Sequence, residues 1–283
     1  MRIGIVGLGL IGGTIAKSLN KKHIIEAYDI DFNAVDYAKK NNIIDKGYDD
    51  LKAFLANNQI IFLCLYPKNI APFFKENIDV IKHQTLFIEI SGIKTSLIKE
   101  IESLNINHFD IVYTHPIAGR ETIGIQGSDK AIFKKANFVI IDNHRNCKTN
   151  VDIVHKLAVD MGFRNINNIS AEYHDKIIAY TSQLTHVISL ALVNSFDQHE
   201  VLCNYTGDSY RDLTRIANIN IDLWTDLFIN NKSMLLEKIT DFEKQIKLFK
   251  NALENNDIIE LETIMKKAKR KHNIFLKEKK NES

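Results

Sequence analysis

Arg2-Ile-Gly-Ile-Val-Gly7-Leu-Gly9-Leu-Ile-Gly12-Gly13 runs an apolar strand pattern into a glycine-rich turn, and the helical spacing of Ile11, Ile15 and Leu19 follows at once. Each glycine has a separate job in such a turn. Gly7 permits the tight bend, Gly9 lets a pyrophosphate approach the backbone, and Gly12 lets the helix lie close to the strand. The helix start at Leu10, Ile11 and Gly12 offers unpaired N–H groups and the positive end of a dipole to phosphate oxygens. A second short apolar run ends on Ala27-Tyr28-Asp29, about sixteen residues beyond the turn. A carboxylate at Asp29 accepts hydrogen bonds from the adenosine ribose hydroxyls and repels a 2′-phosphate. The stretch therefore implies a dinucleotide site that favours NAD over NADP.

The alternation continues to about residue 168. Candidate strands are 2–6, 24–28, 60–65, 86–90, 109–113, 138–141 and 163–168, with helical segments at 11–21, 32–41, 69–80, 96–104 and 149–161. Strands and helices alternating at this spacing form a parallel sheet covered on both faces. Thr95 and Ser96 are placed to cap the fourth of these helices. From residue 169 the pattern changes to long helices with few breakers. The expected architecture is a Rossmann-type, doubly wound parallel α/β sheet over residues 1–168, followed by an all-α domain over 169–283. Leu235, Ile239, Phe242, Ile246, Phe249 and Leu253 step by four and three, which puts them on one stripe of a helix. A small helical domain can bury such a stripe against a second copy, so a homodimer is expected. Asp257 can cap a last, basic helix.

Composition narrows the function. The formal charge of +2 over 283 residues points to neither nucleic acid nor a membrane surface. The basic run at Lys266-Lys267-Ala-Lys269-Arg270-Lys271 reads as a solvated helix face. No consecutive apolar run approaches the ~20 residues of a membrane span. Met1 opens directly onto a core strand, so no signal peptide is expected ahead of the fold. Cys64, Cys147 and Cys203 have neither a disulfide nor a metal-binding spacing and read as reduced thiols, which places the chain in the cytoplasm.

Ligands of open parallel sheets bind beyond the carboxyl ends of the strands. Three stretches sit there: Tyr66-Pro67, Glu89-Ile-Ser91-Gly92-Ile-Lys94 and Thr114-His115-Pro116-Ile-Ala-Gly119-Arg120-Glu121. His115 suits acid–base work or a local hydrogen bond. In the helical half, Gln183 and His186 lie three apart on one face. Farther on, Arg211-Asp212-Leu-Thr-Arg215-Ile-Ala precedes Trp224. Arginines and an aspartate in a helix are usually surface ion pairs, but Arg215 could hold a carboxylate by two parallel hydrogen bonds.

Together these residues resemble the prephenate dehydrogenase family of tyrosine biosynthesis. The likeness runs through Gly-Leu-Gly-Leu-Ile-Gly-Gly, His115-Pro-Ile-Ala-Gly-Arg-Glu, Ser182-x-Leu-x-His186 and Asp212-Leu-Thr-Arg215-Ile-Ala with Trp224. The resemblance implies NAD-dependent oxidative decarboxylation of prephenate to 4-hydroxyphenylpyruvate in the cleft of a dimeric enzyme. It makes His115 the catalytic histidine, with Ser91 assigned to its support. Substrate contacts go to Arg215, His186, Gln183, Glu121, Asp212 and Trp224, and Lys94 joins the cofactor residues. Two departures stand out. Gly92 occupies the place of the family's serine, with Ser91 one residue earlier, so either Ser91 reaches the histidine from a shifted backbone or another group supports it. Gln183 and Thr185 replace the histidine and proline that many members carry, which leaves arogenate open beside prephenate. A non-catalytic NAD-binding protein on the same fold is the remaining alternative.

Overall fold

The computed structural model describes residues 1–281 except 121, 135, 198 and 203. Its first part runs β1 (Arg2–Val6), α1 (Leu10–Leu19), β2 (Ile24–Tyr28), α2 (Phe32–Lys40), β3 (Lys46–Tyr48), α3 (Leu51–Asn57), β4 (Ile60–Leu63), α4 (Pro67–Asn77), β5 (Leu86–Glu89), α5 (Thr95–Glu102), β6 (Asp110–Ile117), β7 (Asn137–Ile141), α6 (Lys148–Met161) and β8 (Asn165–Ile169). The strands form one sheet in the order β3-β2-β1-β4-β5-β6-β7-β8. Helices cover both faces, as the near-continuous apolar strands require. Side chains alternate across the sheet. Ile3, Ile5, Phe62, Ile88 and Val112 pack on one face with Ile15 and Leu19 of α1 and Leu157 of α6. On the other face Val6, Ile61, Phe87 and Tyr113 meet Phe54, Phe74, Leu97 and Ile101 of α3, α4 and α5.

The Rossmann-type reading holds, with three corrections. β3 and α3 are additional elements, each too short to show a period in the sequence. The sheet is parallel from β3 to β6, but β7 pairs antiparallel to β6 and β8 runs parallel to β7. Ile117 pairs with Asn137, so the chain leaves β6 and enters β7 at the same edge of the sheet, and among the described residues no α-helix crosses over between them. Lastly, α5 has no side-chain cap of its own. Its leading N–H groups, on Lys94 and Thr95, donate instead to the carboxylate of Asp175, at 3.1 and 2.7 Å.

The helical part comprises α7 (Ala171–Ile178), a π-helical turn (Ala179–Gln183), α8 (Leu184–Asn194), α9 (His199–Leu202), α10 (Asp208–Thr214), a 3-10 turn (Arg215–Ala217), α11 (Ile221–Asn230), α12 (Lys232–Glu254) and α13 (Ile258–Asn281). By compactness the chain divides into Met1–Lys232 and Ser233–Ser283. The first unit thus takes in elements on both sides of the change of pattern near residue 169. Asp175, Asn220 and Asp226 all hydrogen-bond groups at the carboxyl edge of the sheet, which draws α7 to α11 into the first unit. Among the described residues, the helical run Ala171–Asn194 is long and apolar enough to cross a membrane, at a mean hydropathy of 1.2. It also carries buried His174, Asp175 and Gln183, which bond to the rest of the unit as a core helix does. In the second unit the expected stripe lies on α12, with Ile246, Phe249 and Leu253 exposed, and Asp257 caps α13 by accepting from Glu260 N–H at 2.9 Å.

Candidate active site

The glycine turn closes as its residue types dictate. Gly7 has φ +94°, and a side chain there would meet the Cys64 carbonyl oxygen at 2.5 Å. At Gly12 a Cβ would stand 1.9 Å from the Gly7 carbonyl oxygen, so only glycine lets α1 start this near β1. Gly9 is different: a Cβ there would meet nothing within 4 Å. Its lack of a side chain serves the fold in no visible way and keeps the space before α1 clear. No side chain caps α1, so the N–H groups of Leu10, Ile11 and Gly12 face that space. Beside it Asp29 is held by Leu8 N–H at 2.5 Å and Asp31 N–H at 2.8 Å, one on each carboxylate oxygen. Each oxygen keeps a lone pair for a further donor. Open space, uncapped donors and a fixed carboxylate together fit a dinucleotide's pyrophosphate and ribose.

Along the same edge, the β5–α5 connection is built on a buried ion pair. Glu89 and Lys94 are both wholly enclosed and bonded to each other. Burial pushes the Lys94 ammonium down, and Glu89 opposes that. The amine expected at the cofactor is thus turned towards Glu89. Ser91 is turned away as well. Its N–H donates to Glu89 and its hydroxyl to the Ile93 carbonyl at 3.1 Å, contacts that close the turn rather than support His115.

His115, late on β6, has another partner. Its Nδ1 shares a hydrogen bond with Nε2 of His174 at 2.9 Å, and Nδ1 of His174 bonds Oδ1 of Asp175 at 2.8 Å. Burial, then His174 and Lys94, hold the His115 imidazole well below its ordinary value, so it is neutral. Burial lowers His174 too, against the pull of Asp175. Burial alone would raise Asp175, but the hydrogen bonds from His174 and Thr95 carry its carboxyl below the ordinary range. His174 and Asp175 were not among the residues expected from sequence. They are the fourth and fifth residues of α7, His174 lying 59 residues from His115, and only the adjacency of the two polar residues near a helix start marks them in the sequence.

The helix α11 closes the other side. Trp224 stacks on His186 with ring centres 3.6 Å apart and planes at 30°. Leu227 comes within 3.3 Å of where a Cβ on Gly92 would stand, and the His115 ring within 3.7 Å of the same point. Gln183 donates to the Leu227 carbonyl at 3.1 Å and accepts from Asn231 at 2.9 Å. The π-helical turn ends on Gln183 and widens the helix there, a feature common at functional sites. His186 donates Nδ1–H to the Ser182 carbonyl at 2.8 Å. Arg215 is exposed on its 3-10 turn, which packs against α8, the helix of His186. Asp212 is exposed on α10. Glu121 lies outside the described residues.

A phosphate-cradling turn and a neutral imidazole at one sheet edge define a dinucleotide-dependent oxidoreductase. Comparison with known proteins makes the class specific. The model of the prephenate dehydrogenase nucleotide-binding domain matches residues 15–167, and that of the prephenate dehydrogenase dimerization domain matches 170–267. The chain belongs to the prephenate dehydrogenase family. It is similar to a cyclohexadienyl dehydrogenase of Zymomonas mobilis, with 27% identity over 90% of this chain and 89% of that one. Among solved structures it resembles prephenate dehydrogenase from Aquifex aeolicus in complex with hydroxyphenyl propionate and NAD+, at a TM-score of 0.85 and 25% identity, covering 97% of this chain and 98% of that one. Arogenate dehydrogenase from Synechocystis shares the fold at a TM-score of 0.80 and 23% identity, covering 97% and 100%.

Proposed function

We propose that the chain catalyses the NAD-dependent oxidative decarboxylation of prephenate to 4-hydroxyphenylpyruvate, as a homodimer. The observation that carries this reading is the placement of His115: an imidazole at the carboxyl edge of the sheet that also holds the nucleotide turn, bonded through His174 to Asp175. NAD+, held by Gly7, Gly9, Leu10, Ile11, Gly12 and Asp29, supplies the hydride acceptor. His115 accepts the proton of the ring hydroxyl as the carbon bearing it becomes a carbonyl. Arg215 holds a substrate carboxylate and so orients the ring, with His186 and Trp224 as a stacked wall beside it. Loss of the ring carboxylate as carbon dioxide makes the product aromatic and the reaction effectively irreversible. The dimer reading is supported by the matched dimerization domain and by the apolar residues exposed on α12 and α13.

The test is NADH formation with prephenate and with arogenate in parallel, each repeated with NADP, on the wild type and on His115→Asn. Expected are turnover of prephenate, at least a tenfold preference for NAD because Asp29 repels a 2′-phosphate, and a loss of roughly 10²–10⁴ in turnover for His115→Asn with NAD affinity kept. Turnover of arogenate alone would reassign the substrate. Near-normal turnover by His115→Asn would make the histidine structural.

A further inference from the structure

We propose that Asp175 and His174 are positioning residues that fix the tautomer of His115, leaving Nε2 bare as the proton-accepting atom. The inference rests on the reading of His115 as the base and specifies which atom acts and why.

Counting donors and acceptors carries the argument. Asp175 receives the N–H groups of Lys94 and Thr95 at 3.1 and 2.7 Å, one on each oxygen. A carboxylate in that position only accepts. The third contact, to His174 Nδ1 at 2.8 Å, must then be donated by the imidazole, so His174 carries its proton on Nδ1. A neutral ring with Nδ1–H has a bare Nε2. That nitrogen lies 2.9 Å from Nδ1 of His115, and the bond between them needs His115 to be the donor. His115 is in turn an Nδ1–H tautomer, and its Nε2 is left as an acceptor. The ring's Nε2 and Cε1 both stand 3.7 Å from the point where a side chain on Gly92 would begin, so glycine keeps that end of the ring uncrowded from the β5–α5 connection.

The groups around this relay agree with it. The β5–α5 connection presents the Lys94 ammonium and the Glu89 carboxylate, already joined to each other, and α11 presents apolar Leu227. Asp175 is also fixed from behind, since Asn231 donates to its main-chain carbonyl at 2.9 Å. When Nε2 takes a proton, the Nδ1–H bond to His174 stays in place, so the relay orients the base and fixes its tautomer throughout.

The experiment reads the tautomer directly. The full-length protein is labelled with 15N-histidine, and the His115 ring is assigned by its loss in His115→Asn. At pH 8 the wild type should show a protonated Nδ1 and an unprotonated Nε2. His174→Phe keeps the bulk but accepts no hydrogen bond, so this pattern should be lost and kcat should fall on the order of 10²-fold, with KM and NAD affinity held within about threefold. In His174→Gln the amide oxygen can accept from Nδ1 and its NH2 can donate to Asp175, so the pattern and most of the rate should return. A wild-type His115 protonated on Nε2 overturns the proposal, and that measurement needs no variant to fold in its altered form. So does a His174→Phe enzyme with wild-type kcat, or a His174→Gln enzyme no faster than His174→Phe. Full activity in His115→Asn would instead remove the base and leave the relay to be judged by the spectrum alone.

Discussion

Arg215 is where a surface role and a substrate role predict different numbers. It sits exposed on a turn that packs against the helix of His186. As a surface ion pair it would contribute no more than ~1 kcal/mol of stability, and its removal would leave the kinetics alone. As a carboxylate clamp, Arg215→Ala should raise KM for prephenate and lower kcat/KM by about 30-fold to several thousand-fold, the equivalent of ~2–5 kcal/mol. Lysine should restore only part, because a point charge lacks the planar two-point contact. Steady-state kinetics on both variants beside a thermal melt decides it, and unchanged kinetics in Arg215→Ala takes the residue out of the site. Arg215 and His115 draw attention in the sequence because each stands in a short run of unusual chemistry, after an apolar strand or within a helix. His174 does not. Its partner is remote in sequence, and a histidine followed by an aspartate near a helix start looks like an ordinary polar turn. Ser91 misled for the opposite reason: the right residue type stood one position from the right place, and the backbone turned its hydroxyl to Ile93.

At the level of elements, the β1–α1 unit separates folding from binding within one turn. Gly12→Ala would drive a methyl into the Gly7 carbonyl, so α1 must move, at a cost of about 1–3 kcal/mol and with loss of NAD affinity. Gly9→Ala meets no protein atom and has φ −72°, which alanine adopts freely. It should melt with the wild type and yet bind NAD far more weakly, because the methyl occupies the space before the helix. Calorimetric titration with NAD beside a melt checks both, and normal affinity in Gly9→Ala would mean that the cofactor does not approach this turn. This unit was legible because strand period, glycines, helix period and Asp29 all agree within thirty residues. Strand direction beyond β6 was not, since nothing local records whether a chain returns on the same side of a sheet. The cap of α5 was equally hidden, because it comes from a residue 80 positions away.

For the molecule as a whole, the histidine pair ties stability to pH. His115 and His174 are both held below their ordinary value when folded, whereas in the unfolded chain each titrates near ~6.5. Below about pH 6.5 the unfolded state binds more protons, so stability falls with falling pH by up to ~1.4 kcal/mol per unit for each histidine. Asp175 has a lowered value, and its contribution persists until the pH drops below the ordinary carboxylate range. Melting temperature should therefore decline between pH 7.5 and 5.5, and more gently in a His115→Asn, His174→Gln double variant. Equal slopes in the two proteins would rule the pair out as the cause. Asp175 has a second consequence, because one carboxylate both starts α5 and ends the chain of imidazoles. It works as an interlock. Moving α7 away would take the cap from the fifth helix and the partner from the His115 imidazole together, while leaving the glycine turn as it is.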